Sequence, residues 1–86
     1  DLAVAMSLVS GVRDMPIDDD TVIFGEVGLS GEIRSVPKII ERVKESARLG
    51  FKKCIIPRGG SEKLEIPKGL EVYRVRNLRE AIEMAL

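Results

Sequence analysis

The sequence predicts an α/β (α+β) domain in which helices pack on a mixed sheet. Apolar residues recur at helical spacing in some segments and cluster in short β-branched runs in others. Their order is helix, strand, hairpin strand, helix, strand, strand, helix. Gly, Pro and Asn stand at the junctions between these runs. The chain has 86 residues, enough for one domain spanning 1–86. Hydrophobic residues make up 44% of it and aromatic residues only 3%, so Val, Ile, Leu and Ala must build the core.

The first helix is expected from Leu2, with Gly11 and Pro16 bracketing its end. Leu2, Met6 and Val9 form one apolar stripe, and Ala5, Leu8 and Val12 form a second. Two stripes with few charges predict a helix buried all round. The chain opens at Asp1 inside this pattern, without a Met, which predicts a truncated fragment of a larger protein with the true N-cap upstream. Ser7 and Ser10 are expected to bond carbonyls of their own helix. Asp18, Asp19 and Asp20 read as a solvated turn, because adjacent carboxylates lack the spacing of a calcium loop.

Residues 21–29 read as a strand with both faces apolar. Val22 and Phe24 point one way, Ile23 and Val27 the other. Gly25 and Gly28 mark a bulge or a close backbone approach. Ser30 and Gly31 turn a hairpin into residues 32–36. Pro37 suits the first position of a helix that runs from Lys38 to Leu49, with Ile40, Val43 and Ala47 inward and Ile39 beside them. Gly50 ends it. Residues 53–57 form a buried strand in which Cys54 is a small core residue. Residues 70–75 form a half-exposed strand. Asn77 caps a last helix with Leu78, Ile82 and Leu86 (or Ala85) inward.

Composition excludes several functions. There is one cysteine and no histidine, so an internal disulfide, a cysteine-based zinc site and a histidine-based triad are all excluded within this chain. No metal site is expected. No apolar run approaches the roughly 20 residues of a membrane span. A single free cysteine fits a reducing, cytoplasmic setting. The loop from Arg58 to Ser61 lacks the ending of a phosphate-binding loop. Net charge is zero, but residues 1–28 hold one basic and six acidic residues. Segment 34–63 holds nine basic residues against three acidic ones, an asymmetry that charge alone reads first as a solvated face of mixed charge and otherwise as a surface for a polyanion.

Three stretches carry a family resemblance. The hairpin GEVGLSGEIR, residues 25–34, resembles that of Lon protease proteolytic domains. RVKESARLGFKKCIIP, residues 42–57, resembles the segment that follows the Lon active-site lysine, and residues 2–16 resemble the helix that follows its nucleophile. GEVGLSGEIRSV with the ERVKES helix is most similar to the Lon-like C-terminal domain of the bacterial RadA (Sms) family. So is the tail, with GLEV at 69–72 and LREAI at 78–82. The resemblance implies a fold like the second domain of ribosomal protein S5. It also implies a parent with a zinc finger and a RecA-like ATPase core, a DNA-dependent ATPase or helicase. That parent promotes branch migration of recombination intermediates in DNA repair. ATP, Mg and Zn would then be bound by the parent outside this chain, with no cofactor inside it.

Lon-type proteolysis needs a Ser–Lys dyad in which a buried lysine takes the serine proton. The Lon register places that lysine on Ile40 and the serine about two residues before Asp1. Isoleucine accepts no proton, so no catalytic residue is expected here. Lys38 lies roughly 200° around the helix from that position, and Lys44 roughly 6 Å along it. Neither replaces the base.

Two roles remain, a scaffold for ring assembly and contact with DNA. The family resemblance implies self-association into a ring, expected to be a hexamer, next to the RecA-like domain of the same parent. Arg34, Lys38, Arg42, Lys44, Arg48, Lys52 and Lys53 cluster around one helix and are the expected contacts to the phosphate backbone. With only three aromatics, two of them expected to be buried, stacking on bases is not expected, so contact should be independent of sequence. The alternative is a proteolytic-domain fragment of an ATP-dependent Lon-type protease.

Overall fold

The computed structural model describes residues 1–61 and 63–86. Its elements are α1 (Leu2–Arg13), β1 (Thr21–Ile23), β2 (Glu26–Val27), β3 (Ile33–Arg34), α2 (Ile39–Arg48), β4 (Lys53–Pro57), β5 (Glu71–Val75) and α3 (Leu78–Ala85). The fold is α/β, with its strands in two sheets. β1, β4 and β5 form a parallel sheet with β4 in the centre, while β2 and β3 form a separate antiparallel hairpin.

β4 is paired on both sides and covered on both faces, which is why Cys54, Ile55 and Ile56 are fully buried. The two faces carry two apolar clusters. Ile55 and Val75 face Leu2 and Met6 of α1 and Ala81 of α3. Cys54 and Ile56 face Ile39 and Val43 of α2, with Leu64 and Leu70 from the β4–β5 connection. The alternation read from the strand holds. Val22 and Phe24 join the second cluster, and Ile23 and Val27 the first. Leu78, Ile82, Ala85 and Leu86 lie against the first cluster as expected, with Ala81 the fully buried member of the helix.

The strand expected over 21–29 divides at Gly25. The N–H of Phe24 donates to Ile55 at 2.9 Å, the last bond to the parallel sheet, and the chain then bends into the hairpin. Gly25 has φ 154, and its carbonyl accepts from the N–H of Leu2 at 2.9 Å. A Cβ there would lie 3.0 Å from Ile33 Cγ2 and 3.2 Å from Leu2 Cδ2, the close approach that the glycine permits.

α1 differs from expectation on two counts. Only Leu2 and Met6 are buried, because the helix rests on the sheet and α3 along a single side. Val4, Leu8 and Val12 are exposed, Val12 at 88%. At its first turn the Asp1 carboxylate accepts from the N–H of Val4 at 2.9 Å. The hydroxyl of Ser10 donates to the Met15 carbonyl beyond the helix end, not to a carbonyl of its own turn. Asp18–Asp20 is a turn, as expected, with the Asp18 carbonyl taking the N–H of Thr21 at 3.1 Å.

α2 starts later and is rotated relative to the expected stripe. Pro37 precedes the helix, and Lys38 is its cap residue in the left-handed region at φ 58. Nε of Arg42 holds that turn by donating to the Pro37 carbonyl at 2.9 Å. The inward stripe is Ile39, Val43 and Ser46, at i, i+4 and i+7. Ile40 is 37% exposed, against 7% for Ile39. Ser46 is buried without cost to its hydroxyl, which donates to the Arg42 carbonyl at 2.8 Å.

Candidate nucleic-acid interface

The seven cationic residues singled out from the sequence do not form one surface. Residues on α2 advance roughly 100° each around the axis. Lys38 and Arg42 therefore lie on one flank and Lys44 on the other, with Glu41, Glu45 and Arg48 between them. Lys38, Glu41, Arg42 and Glu45 share the rim of one groove, floored by Val22, Phe24, Leu49 and Phe51. Acid and base alternate along that rim, so its field is weak.

Several of the seven charges are engaged within the chain. Arg48 grips Glu45 with both Nε, at 3.0 Å, and Nη2. That pair holds the Glu45 carboxyl below its ordinary range and raises Arg48. Arg34 Nη2 meets Glu32 Oε2 at 2.9 Å, and Glu32 is lowered by Arg34 first and by backbone N–H groups next. Arg42 stands 5.7 Å over the Phe24 ring, in cation–π range. Lys53 Nζ donates to the Met84 carbonyl at 2.8 Å and lies 5.2 Å over Tyr73. Among the described residues, the side chains of Lys38, Lys44 and Lys52 enter no hydrogen bond or ion pair. Phe24, Phe51 and Tyr73 are all half-buried, whereas two of them were expected to be buried.

Asp1, Gly25, Pro37 and Arg42 line a cleft of about 220 Å³ where the starts of α1 and α2 approach. Ile40 is not in it. The basic side chain on this cleft is Arg42. Cys54 offers no nucleophile. It is fully buried, and burial pushes its thiol up to about 12.

The sequence reading missed Arg58 and Arg76. Both are exposed, and backbone bonds set Arg58 against Val75 and Arg76 against Ile33. They lie 24 and 42 positions after Arg34 in the chain, so no local pattern joins them.

Comparison with known proteins fits this architecture to a family. Residues 1–60 match the family described as subunit ChlI of Mg-chelatase, and the chain belongs to that family. Over its whole length it is similar to proteins named DNA repair protein RadA. It is 43% identical to that of Escherichia coli, over 98% of this chain and 18% of the relative. With the Bacillus subtilis protein the identity is 46%, over 100% of this chain and 19% of the relative. With the Aquifex aeolicus protein it is 52%, over 98% and 18%. The chain thus spans about a fifth of the length of these relatives. The resemblance of the hairpin, the α2 segment and the tail to the RadA family is shown. Among the described residues no helix is long and apolar enough to cross a membrane.

Proposed function

We propose that this chain is a non-proteolytic, Lon-like module of a RadA-type DNA repair ATPase. It acts as a scaffold for ring assembly and touches DNA without reading sequence while recombination intermediates are processed and branch-migrated. The observation that carries the reading is the similarity to DNA repair proteins over the whole chain, joined to the isoleucine at the base position. A metal-chelatase role, named by the family description, has the narrower support of residues 1–60. In this reading the ATP, Mg and Zn sites belong to the RecA-like core and zinc finger of the parent, and the setting is cytoplasmic.

Self-association is supported by apolar surface turned outward. Val4, Leu8 and Val12 form an unpaired row on α1, and Leu29 stands at the hairpin tip with 106% exposure. The ring is proposed to be a hexamer built from copies of this domain, carrying the ATPase domains around DNA. Contact with phosphates is supported by the basic residues around α2, where Lys38, Lys44 and Lys52 have free ammonium groups.

The test of the non-proteolytic reading uses the intact parent with unfolded protein substrates and ATP. No cleavage is expected. Cleavage that persists through purification and disappears on mutating one serine would overturn it, in favour of a Lon-type protease.

A further inference from the structure

The hairpin ends in an apolar tip that its own backbone braces. The N–H of Gly28 donates to the Glu32 carbonyl at 2.8 Å, and the N–H of Gly31 to the Gly28 carbonyl at 3.0 Å. The Glu32 carboxylate lies against the turn, taking the N–H of Ser30 at 3.0 Å and Nη2 of Arg34 at 2.9 Å. Glycine at 28 leaves room for it, since a Cβ there would overlap that carboxylate. The side chain held out on this turn is Leu29, fully exposed. A leucine on a backbone already fixed has little ordering left to lose when it is covered.

A concave counterpart lies at the other end of α1. Leu8, Val9 and Val12 line a groove of about 290 Å³ with Arg13 and, from α3, Ile82. Leu8 and Val12 leave most of their surface in water. The hairpin meets α1 at its first residue, where the N–H of Leu2 donates to the Gly25 carbonyl. Leu2 and Val12 are separated by roughly 15 Å of helix. Tip and groove thus belong to opposite ends of the helix, and the chain does not fill its own groove.

Their charges are complementary. Residues 26–34 hold two acids, Glu26 and Glu32, and one base, Arg34, which is spent on Glu32. Glu26 is exposed, on the strand face opposite to Val27, and it enters no hydrogen bond or ion pair among the described residues. The groove carries Arg13, and Arg79 follows Ile82 at roughly 60° around α3. Both arginines are exposed and equally without a partner among the described residues. The acids nearest in sequence stand further off, Asp14 on the far side of α1 and Glu83 roughly 100° from Ile82.

We infer that Leu29 of one copy seats in the α1–α3 groove of the next copy, with Glu26 facing Arg13 and Arg79. The inference rests on the ring-assembly reading above and names the two surfaces that meet. Because tip and groove are different patches of one chain, the contact is heterologous. It repeats from copy to copy and closes into a ring when the rotation allows. The apolar tip supplies the burial, and the charges set its orientation.

The test is sedimentation velocity of the intact parent at a series of micromolar concentrations. Leu29→Glu removes the tip, and Leu8→Glu with Val12→Glu removes the groove. Each should raise the concentration needed for assembly about ten-fold or more. An equimolar mixture of the two variants keeps one intact tip and one intact groove, so it should give a dimer and nothing larger. Glu26→Arg should weaken assembly, and adding Arg13→Glu should restore it, which a folding defect would not do. A closed oligomer unchanged by Leu29→Glu would overturn this interface and leave the scaffold reading standing. A mixture that stays monomeric would overturn the pairing of tip with groove. An unsubstituted parent that is monomeric throughout would overturn the interface and the scaffold reading together.

Discussion

Ile33 and Arg76 are joined by a backbone bond of 2.8 Å, N–H to carbonyl, that ties the hairpin to the end of the parallel sheet. Ile33 puts its side chain into the first apolar cluster, while Arg76 stays in solvent. One residue further, Asn77 both bridges Glu32 and caps α3. Two sheets and a helix are thus fixed to one another over two residues.

The cap should be measurable. Asn77 Oδ1 accepts from the N–H of Glu80 at 2.9 Å, and the Glu80 carboxylate returns to the N–H of Arg76. Asn77→Ala should cost about 1 kcal/mol of stability in urea unfolding, and Asn77→Asp should recover most of it. Equal stability of the Asn and Ala forms would show that the cap contributes nothing.

Gly25 and Gly59 make a matched pair of tests. A Cβ on Gly25 presses on Ile33 and Leu2 at a positive φ, whereas one on Gly59 meets nothing within 4 Å. Gly25→Ala should destabilise the domain by more than about 1 kcal/mol, and Gly59→Ala by little or not at all. Thermal melting of the two variants side by side decides the matter.

The register of α2 predicts opposite fates for adjacent isoleucines. Ile39→Ala empties a buried site and should cost about 2–5 kcal/mol. Ile40→Ala should change stability by no more than about 0.5 kcal/mol, since its side chain is partly in water. Denaturant midpoints in the reverse order would mean that the helix is rotated as the sequence pattern suggested.

That register shows where the sequence was legible and where it was not. Strand faces and the Asn77 cap depend on neighbours in the chain, so local pattern exposed them. The hairpin turn expected at Ser30–Gly31 is centred one residue earlier, on Leu29 and Ser30, with the N–H of Gly31 donating to the Gly28 carbonyl at 3.0 Å. In α2 the apolar residues Ile39 and Ile40 are adjacent, and either could have led the stripe. The left-handed turn at Lys38 selects Ile39, and no propensity favours a lysine there. In α1 the apolar residues surround the helix, and only the tertiary packing shows that one side is covered. The α2 charges looked like a single track because they are close in sequence, yet the helix divides them. The bonds of Arg58 to Val75 and of Ile33 to Arg76 join segments distant in sequence, which no local pattern shows.

Cys54 predicts a pH effect. Burial raises its thiol to about 12 in the folded domain from an ordinary value of 9.0. The folded state therefore holds the proton more tightly than the unfolded one between these values. The corresponding stability is fully present below pH 9 and is lost as pH rises toward 12. Stability should fall by up to about 1.4 kcal/mol per pH unit from this group. Cys54→Ala should show a shallower fall over the same window, despite a lower starting stability. In the native domain at neutral pH the thiol should resist alkylation until denaturant is added.

The scaffold claim is tested most directly by sedimentation velocity of the intact parent at micromolar concentration. The account predicts a closed oligomer, with Leu8→Glu and Val12→Glu together shifting it toward smaller species because they charge the exposed row of α1. A parent that sediments as a monomer at both low and moderate salt would contradict it.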